Sequence, residues 1–139
     1  MGEQIAIEAV VTGKRSDVWA LWNEPEHIMS WNFASDDWCC PSAENDLRVG
    51  GRLLSRMEAK DGSFGFDFEA IYDEVDHEAK LAYTLTDGRR VETRFEDYGD
   101  VTRVSTVFEA EEENSAELQR MGWQAILDNF KHYAETSQF

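Results

Sequence analysis

The stretch RLLSRMEAKDGSFGFDFEAIYDEV, residues 52–75, decides the fold. Asp61-Gly62 interrupts two runs of strand character, and Asp-Gly is a strong signal for a two-residue hairpin turn. With that pair as the loop, Met57 faces Phe66, Ser55 faces Phe68 and Leu53 faces Ala70, all on one side of the ribbon. Arg56, Asp67 and Glu69 fall on the other side, which is therefore wet.

Toward the C-terminus the same logic repeats. Asp87-Gly88 and Gly99-Asp100 mark two further hairpins. A three-residue loop over 87–89 sets Leu85 opposite Val91, Tyr83 opposite Thr93 and Leu81 opposite Phe95. A loop at Gly99-Asp100 sets Phe95 opposite Val104, Thr93 opposite Thr106 and Val91 opposite Phe108. One pleat assignment satisfies every hairpin, and it leaves Glu92, Arg94, Glu96, Arg103 and Ser105 outside. The spacing predicts strands near 46–49, 52–60, 63–75, 80–86, 90–98 and 101–110, with Gly50-Gly51 as a bulge or sharp turn between the first two. A helix follows over about 114–135, capped by Asn114 or Ser115. Its apolar residues, among them Leu118, Met121, Trp123, Ala125, Ile126, Leu127 and Phe130, cover more than half of its circumference. Arg120, Gln124, Asp128, Lys131 and Glu135 fill the rest. Such a helix is gripped on two sides. Gly122 falls between Leu118 and Ala125, which places it on the most buried side.

Toward the N-terminus, Ile5, Ile7, Ala9 and Val11 alternate with polar residues as in a half-buried strand. Ser16 offers a cap for a short helix through Val18, Trp19, Leu21 and Trp22. Pro25 ends it and starts a second short helix through Ile28 and Met29. Residues 31–45 show no period and read as a loop carrying Trp31, Phe33 and Trp38. The whole, residues 1–139, reads as one α+β domain: a strand, two short helices, a long antiparallel meander and a long C-terminal helix.

Composition narrows the function. The 139 residues are 42% hydrophobic and 12% aromatic, which is a globular balance. Thirteen Lys and Arg against 29 Asp and Glu give a formal charge of −16, which repels phosphate backbones and anionic lipid head groups. Nucleic acid and membrane are therefore not expected as partners. The N-terminal Met1-Gly2-Glu3-Gln4 has no basic region followed by an apolar one, and Gly2 lacks a myristoylation context. Adjacent Cys39 and Cys40 cannot easily form a disulfide with each other. Free thiols and the absence of a secretory signal point to the cytoplasm.

Catalytic signatures are sparse. His27, His77 and His132 are scattered, no nucleophile elbow is present, and no His/Cys spacing suits zinc. Gly50-Gly51 is too short for a phosphate loop. The sequence thus predicts no metal, no cofactor and no catalytic residue. Arg48 and Arg52 flank the double glycine, where either clamps one of the acids Asp36, Asp37 and Asp46 or meets an anionic ligand.

Several stretches resemble one known family. Trp19-Ala20-Leu21-Trp22 with Glu26-His27 and Trp31, Asp46-Leu47-Arg48-Val49-Gly50-Gly51-Arg52, Met57 with Asp61-Gly62, and Gly122-Trp123 look like the activator of Hsp90 ATPase homologue family. That family lies in the START-like, helix-grip superfamily with polyketide cyclases and plant pollen allergens. The resemblance spans about residues 5–135. It implies a curved antiparallel sheet wrapped around the C-terminal helix, with a cavity between them.

The inner face supports a cavity independently, because it mixes large Phe64, Phe66, Phe68, Tyr83, Leu85 and Phe95 with small Ser55, Ala70, Thr93 and Thr106. The expected use is to hold a small apolar or aromatic molecule. Candidate contacts are Ser55, Met57, Phe66, Phe68, Tyr83, Leu85, Thr93, Phe95 and Thr106 from the sheet, with Met121 and Ala125 from the helix. Trp31, Phe33 and Trp38 either gate this space or cap the core. A chaperone-partner module and a cyclase-like enzyme using the same cavity are the alternatives.

Overall fold

Alternation in the first segment does what its pattern demands: Ile5, Ile7, Ala9 and Val11 are buried and the residues between them are exposed. The computed structural model describes residues 3–136. Met1 and Gly2, where no targeting signal was expected, lie outside the described residues. The elements are β1 (Gln4–Thr12), α1 (Arg15–Asn23), α2 (Pro25–Trp31), β2 (Trp38–Asn45), β3 (Arg52–Ala59), β4 (Gly65–Asp76), β5 (Lys80–Leu85), β6 (Arg90–Asp97), β7 (Val101–Glu109) and α3 (Ala116–Thr136). The strands form one antiparallel, curled sheet in the order β1-β7-β6-β5-β4-β3-β2. With α3 laid against it, this is the α+β helix-grip fold.

The Asp61-Gly62 hairpin has the expected register, with Met57 opposite Phe66, Ser55 opposite Phe68 and Leu53 opposite Ala70. The Gly99-Asp100 hairpin also matches, with Phe95 opposite Val104 and Thr93 opposite Thr106. The β5–β6 hairpin does not. Tyr83 pairs with Val91 and Leu81 with Thr93, two residues away from the expected partners. Asp87 tightens this turn by accepting hydrogen bonds from the Arg89 backbone (3.2 Å) and Nε (2.8 Å), and the Leu85 amide donates to Arg89 O (2.8 Å). A slip of two keeps every side chain on its face, so the inner surface survives the error.

Other expectations need correction. Residues 46–49 are not a strand but a turn. There the Gly51 amide donates to Arg48 O (2.8 Å), and Arg48 Nε donates to both Asp46 carboxylate oxygens (2.9 Å each). The missing strand is β2, inside the stretch read as a loop. It pairs with β3 and carries a bulge between Cys39 and Ser42, around Pro41, which has no amide to donate. Arg52 faces outward, and its partners are Glu69 and Glu44 rather than the loop acids. Ser16 lies within α1, whose cap position is Lys14. At α3, Ser115 Oγ accepts from the Leu118 amide (3.1 Å), a true cap.

The α3 helix is gripped less symmetrically than its apolar breadth suggests. Leu127, Phe130 and Ala134 are buried, and Trp123 stacks on Phe108 with ring centroids 3.9 Å apart. Leu118 and Met121 are exposed. A Cβ on Gly122 would meet nothing within 4 Å, so that position is open rather than tightly packed. The polar arc lies along the free edge of β1, where Arg120 donates to Ala6 O (3.2 Å), Gln124 to Glu8 O (3.1 Å) and Lys131 to Val10 O (2.9 Å). No helix among the described residues is long and apolar enough to cross a membrane.

Candidate functional site

The inner face of the sheet, α3 and the α1–α2 pair enclose a hollow of about 100 Å³. Ser55, Met57 and Phe68 give it one wall, Tyr83, Thr93 and Thr106 a second. Trp123, Ile126 and Leu127 close it from α3, and Trp22, Asn23, Ile28 and Trp31 close it from the short helices. No Asp, Glu, Lys, Arg or His lines it.

Polar groups enter this apolar space in two ways. Some satisfy each other. Thr93 Oγ1 and Thr106 Oγ1 are 2.8 Å apart across β6 and β7. A chain of side-chain bonds joins α1 to the sheet: Tyr72 OH donates to Asn45 Oδ1 (2.7 Å), Asn45 Nδ2 to Asn23 O (2.8 Å), and Asn23 Nδ2 to Trp19 O (2.9 Å). The bond to Asn23 O supplies a partner for a carbonyl at the end of α1 that the helix itself leaves open. Other groups have no partner in the protein. Ser55 Oγ and Asn23 Oδ1 are buried without a hydrogen bond, although their residues are only 1% and 6% exposed. Burial pushes the Tyr83 and Tyr72 phenols well above the ordinary tyrosine range, so both stay neutral.

Trp31 lies in a helix rather than on a loop. It ends α2, and its Nε1 donates to Leu21 O (2.9 Å) while its ring lies 4.8 Å from Trp22 and 4.9 Å from Phe130. Asn129 Nδ2 ties the following backbone to α3 through Trp31 O (2.9 Å) and Phe33 O (3.3 Å).

A family model described as activator of Hsp90 ATPase homolog 1-like protein matches residues 13–135. The chain belongs to this family. The solution structure of an AHSA1-like protein from Aeromonas hydrophila is 39% identical and superposes with a TM-score of 0.89 over 99% of each chain. A protein from Cytophaga hutchinsonii is 47% identical, with a TM-score of 0.82 over 95% of this chain and 92% of that one. A Chromobacterium violaceum protein, 20% identical, has a TM-score of 0.85 over 97% of this chain and 99% of that one, and shares the fold. A comparison with curated proteins finds no match.

In this member of the activator of Hsp90 ATPase homolog 1-like family, the hollow gathers Trp31, Ser55, Met57, Phe68, Tyr83, Thr93 and Thr106 from the candidate residues. The others lie elsewhere. Leu85 and Phe95 are buried in the core, Phe95 under Trp19 and Trp22. Phe33 packs against the core. Trp38 starts β2 and meets Phe64 and Phe66 at the far end of the β3–β4 hairpin, with centroids 5.9 and 6.1 Å away. Met121 points to solvent, 61% exposed, and Ala125 is half-buried outside the lining. Their places are taken by Trp123, Ile126 and Leu127, one to two positions along a helix whose apolar residues nearly encircle it. Asn23, Asn45 and Tyr72 were not anticipated, because nothing local marks partners that lie 22 and 27 residues apart.

Ligand-type side chains also meet once among the described residues: Glu24, Glu26 and His27 bring donor atoms within 4.8 Å of one another. Both acids are exposed, and His27 Nδ1 shares a 2.7 Å hydrogen bond with Tyr133 OH.

Proposed function

We propose that this protein binds a small apolar or aromatic molecule in the hollow between the sheet and α3. One observation carries the proposal: an uncharged, mainly apolar space is lined by Ser55 and Asn23, each of which carries a buried polar atom, Oγ or Oδ1, that no protein group satisfies. A buried polar atom without a partner costs about 1–3 kcal/mol. A purely structural core would be expected to replace Ser55 with alanine or valine, whereas a guest that bonds to it recovers the cost.

The test is titration of isotope-labelled protein with a panel of lipids, flavonoids and polyketides, followed by amide shifts and melting temperature. A ligand at a hundredfold its Kd adds about 2.7 kcal/mol of stability. The expected result is a saturable shift of the Ser55, Phe68 and Trp123 amides together with a raised melting temperature for at least one compound class. A panel that moves neither removes the proposal.

A further inference from the structure

Resting on that reading, we infer the chemical class of the guest: an elongated neutral molecule with a hydroxyl-type hydrogen-bond donor at its inner end and an apolar remainder running out over Phe66 and Phe64. Three observations converge on it.

The first is charge. A carboxylate or phosphate head would enter a space with no cation among its lining residues. An ionised group buried without a counter-charge is strongly disfavoured. Asn23 Oδ1 can only accept, because an amide oxygen carries no proton, and the bond from Nδ2 to Trp19 O fixes which way the amide points. An anion meets it as acceptor against acceptor, while a hydroxyl donates to it or exchanges roles with Ser55 Oγ.

The second is size. An apolar cavity of about 150 Å³ accepts benzene. A hollow of about 100 Å³ therefore admits a head of at most ring size, and anything longer must leave it.

The third is direction. From the inner face of β4 toward the turn that joins it to β3, burial decays step by step: Tyr72 and Ala70 are 2% and 1% exposed, Phe68 is half-buried, Phe66 is 41% exposed, and Phe64, just before the strand, is 61% exposed. Met57, in the lining, pairs directly with Phe66, and Trp38 joins Phe64 and Phe66 in one aromatic cluster. From Phe68 to Phe66 the strand advances about 7 Å, the reach of a pentyl chain, and Phe64 lies one such step further along the chain.

The experiment compares 4-pentylphenol, pentylbenzene and 4-pentylbenzoate by amide-shift titration at neutral pH, with 4-methylphenol as the short-chain control. The expected order places 4-pentylphenol tightest, about tenfold ahead of the hydrocarbon and the benzoate. Ser55→Ala should remove most of the lead over pentylbenzene without weakening pentylbenzene itself. Phe66→Ala should cut the gain from 4-methylphenol to 4-pentylphenol. Benzoate or hydrocarbon binding as tightly as the phenol overturns the assignment of the head while leaving the pocket reading intact. A chain-length gain unchanged in Phe66→Ala overturns the outward path. If none of the four compounds moves a pocket amide, the assigned class is wrong, and the pocket reading itself falls only when the broader panel is also silent.

Discussion

At Gly51 a methyl group would sit 2.0 Å from the carbonyl oxygen of Asp46, inside a turn closed by backbone bonds. No flexible side chain can yield there. Gly51→Ala should destabilise the protein by about 2–4 kcal/mol in a denaturant titration. Gly122 is the opposite case. Open space surrounds it within a helix, so Gly122→Ala should stabilise by about 0.5–1 kcal/mol. Titration offers another check. Burial pushes the Cys40 thiol up to about 11 and raises the Tyr72 and Tyr83 phenols in the same direction. Each keeps its proton in the folded state at pH values where the unfolded chain has lost it. Stability from these groups is thus full below their ordinary values and declines as pH rises above about 9. A melting temperature that stays flat to pH 11 would contradict this. At this scale, part of the site could be read in advance. Ser55, Tyr83, Thr93 and Thr106 followed from strand parity alone. Asn23 and Asn45 did not, because their importance lies in contacts that only the folded chain creates.

The polar arc of α3 does more than face water. Arg120, Gln124 and Lys131 reach three alternate carbonyls of β1, and the Thr12 amide donates to Glu135 (2.9 Å), so side chains occupy an edge that would otherwise recruit another strand. Arg120→Ala combined with Lys131→Ala should lower stability only modestly, by about 1 kcal/mol, but increase self-association in light scattering. Unchanged scattering at equal stability would show that the edge needs no such cover. The opposite edge, β2, has its bulge at Cys39 and Ser42. The legibility of elements follows their turns. Hairpins closed by Asp61-Gly62 and Gly99-Asp100 had readable registers because the loop length is fixed by chemistry. The Asp87 turn spans 86–88 instead of 87–89, a shift of one position that moves the register by two, and no local rule forbids either choice. In β2 the sequence WCCPSAEN lacks alternation, and its strand state comes from pairing with β3. On α3, apolar residues nearly all round made the wheel blind to which side the sheet would take.

Across the whole molecule, a charge of −16 sets like charges against each other within a single small domain. The ion pairs, such as Arg103 with Glu8 (2.6 Å) and Glu96 (2.7 Å), lie on the surface, where each contributes little. Net repulsion should therefore dominate the response to salt. Raising sodium chloride from low concentration to beyond about 0.1 M, where the screening length falls to about 10 Å, should raise the melting temperature. A decrease would mean that the surface pairs outweigh the repulsion. The order of the sheet has its own effect in time. β1 is hydrogen-bonded to β7, so the first strand to be made finds its neighbour only when almost all the others exist. At about 5–20 residues per second of synthesis, the ribosome takes about 5–20 s to travel between them. For that interval Ile5, Ile7, Ala9 and Val11 remain an apolar stripe in want of shelter, open to whatever chaperone attends the nascent chain.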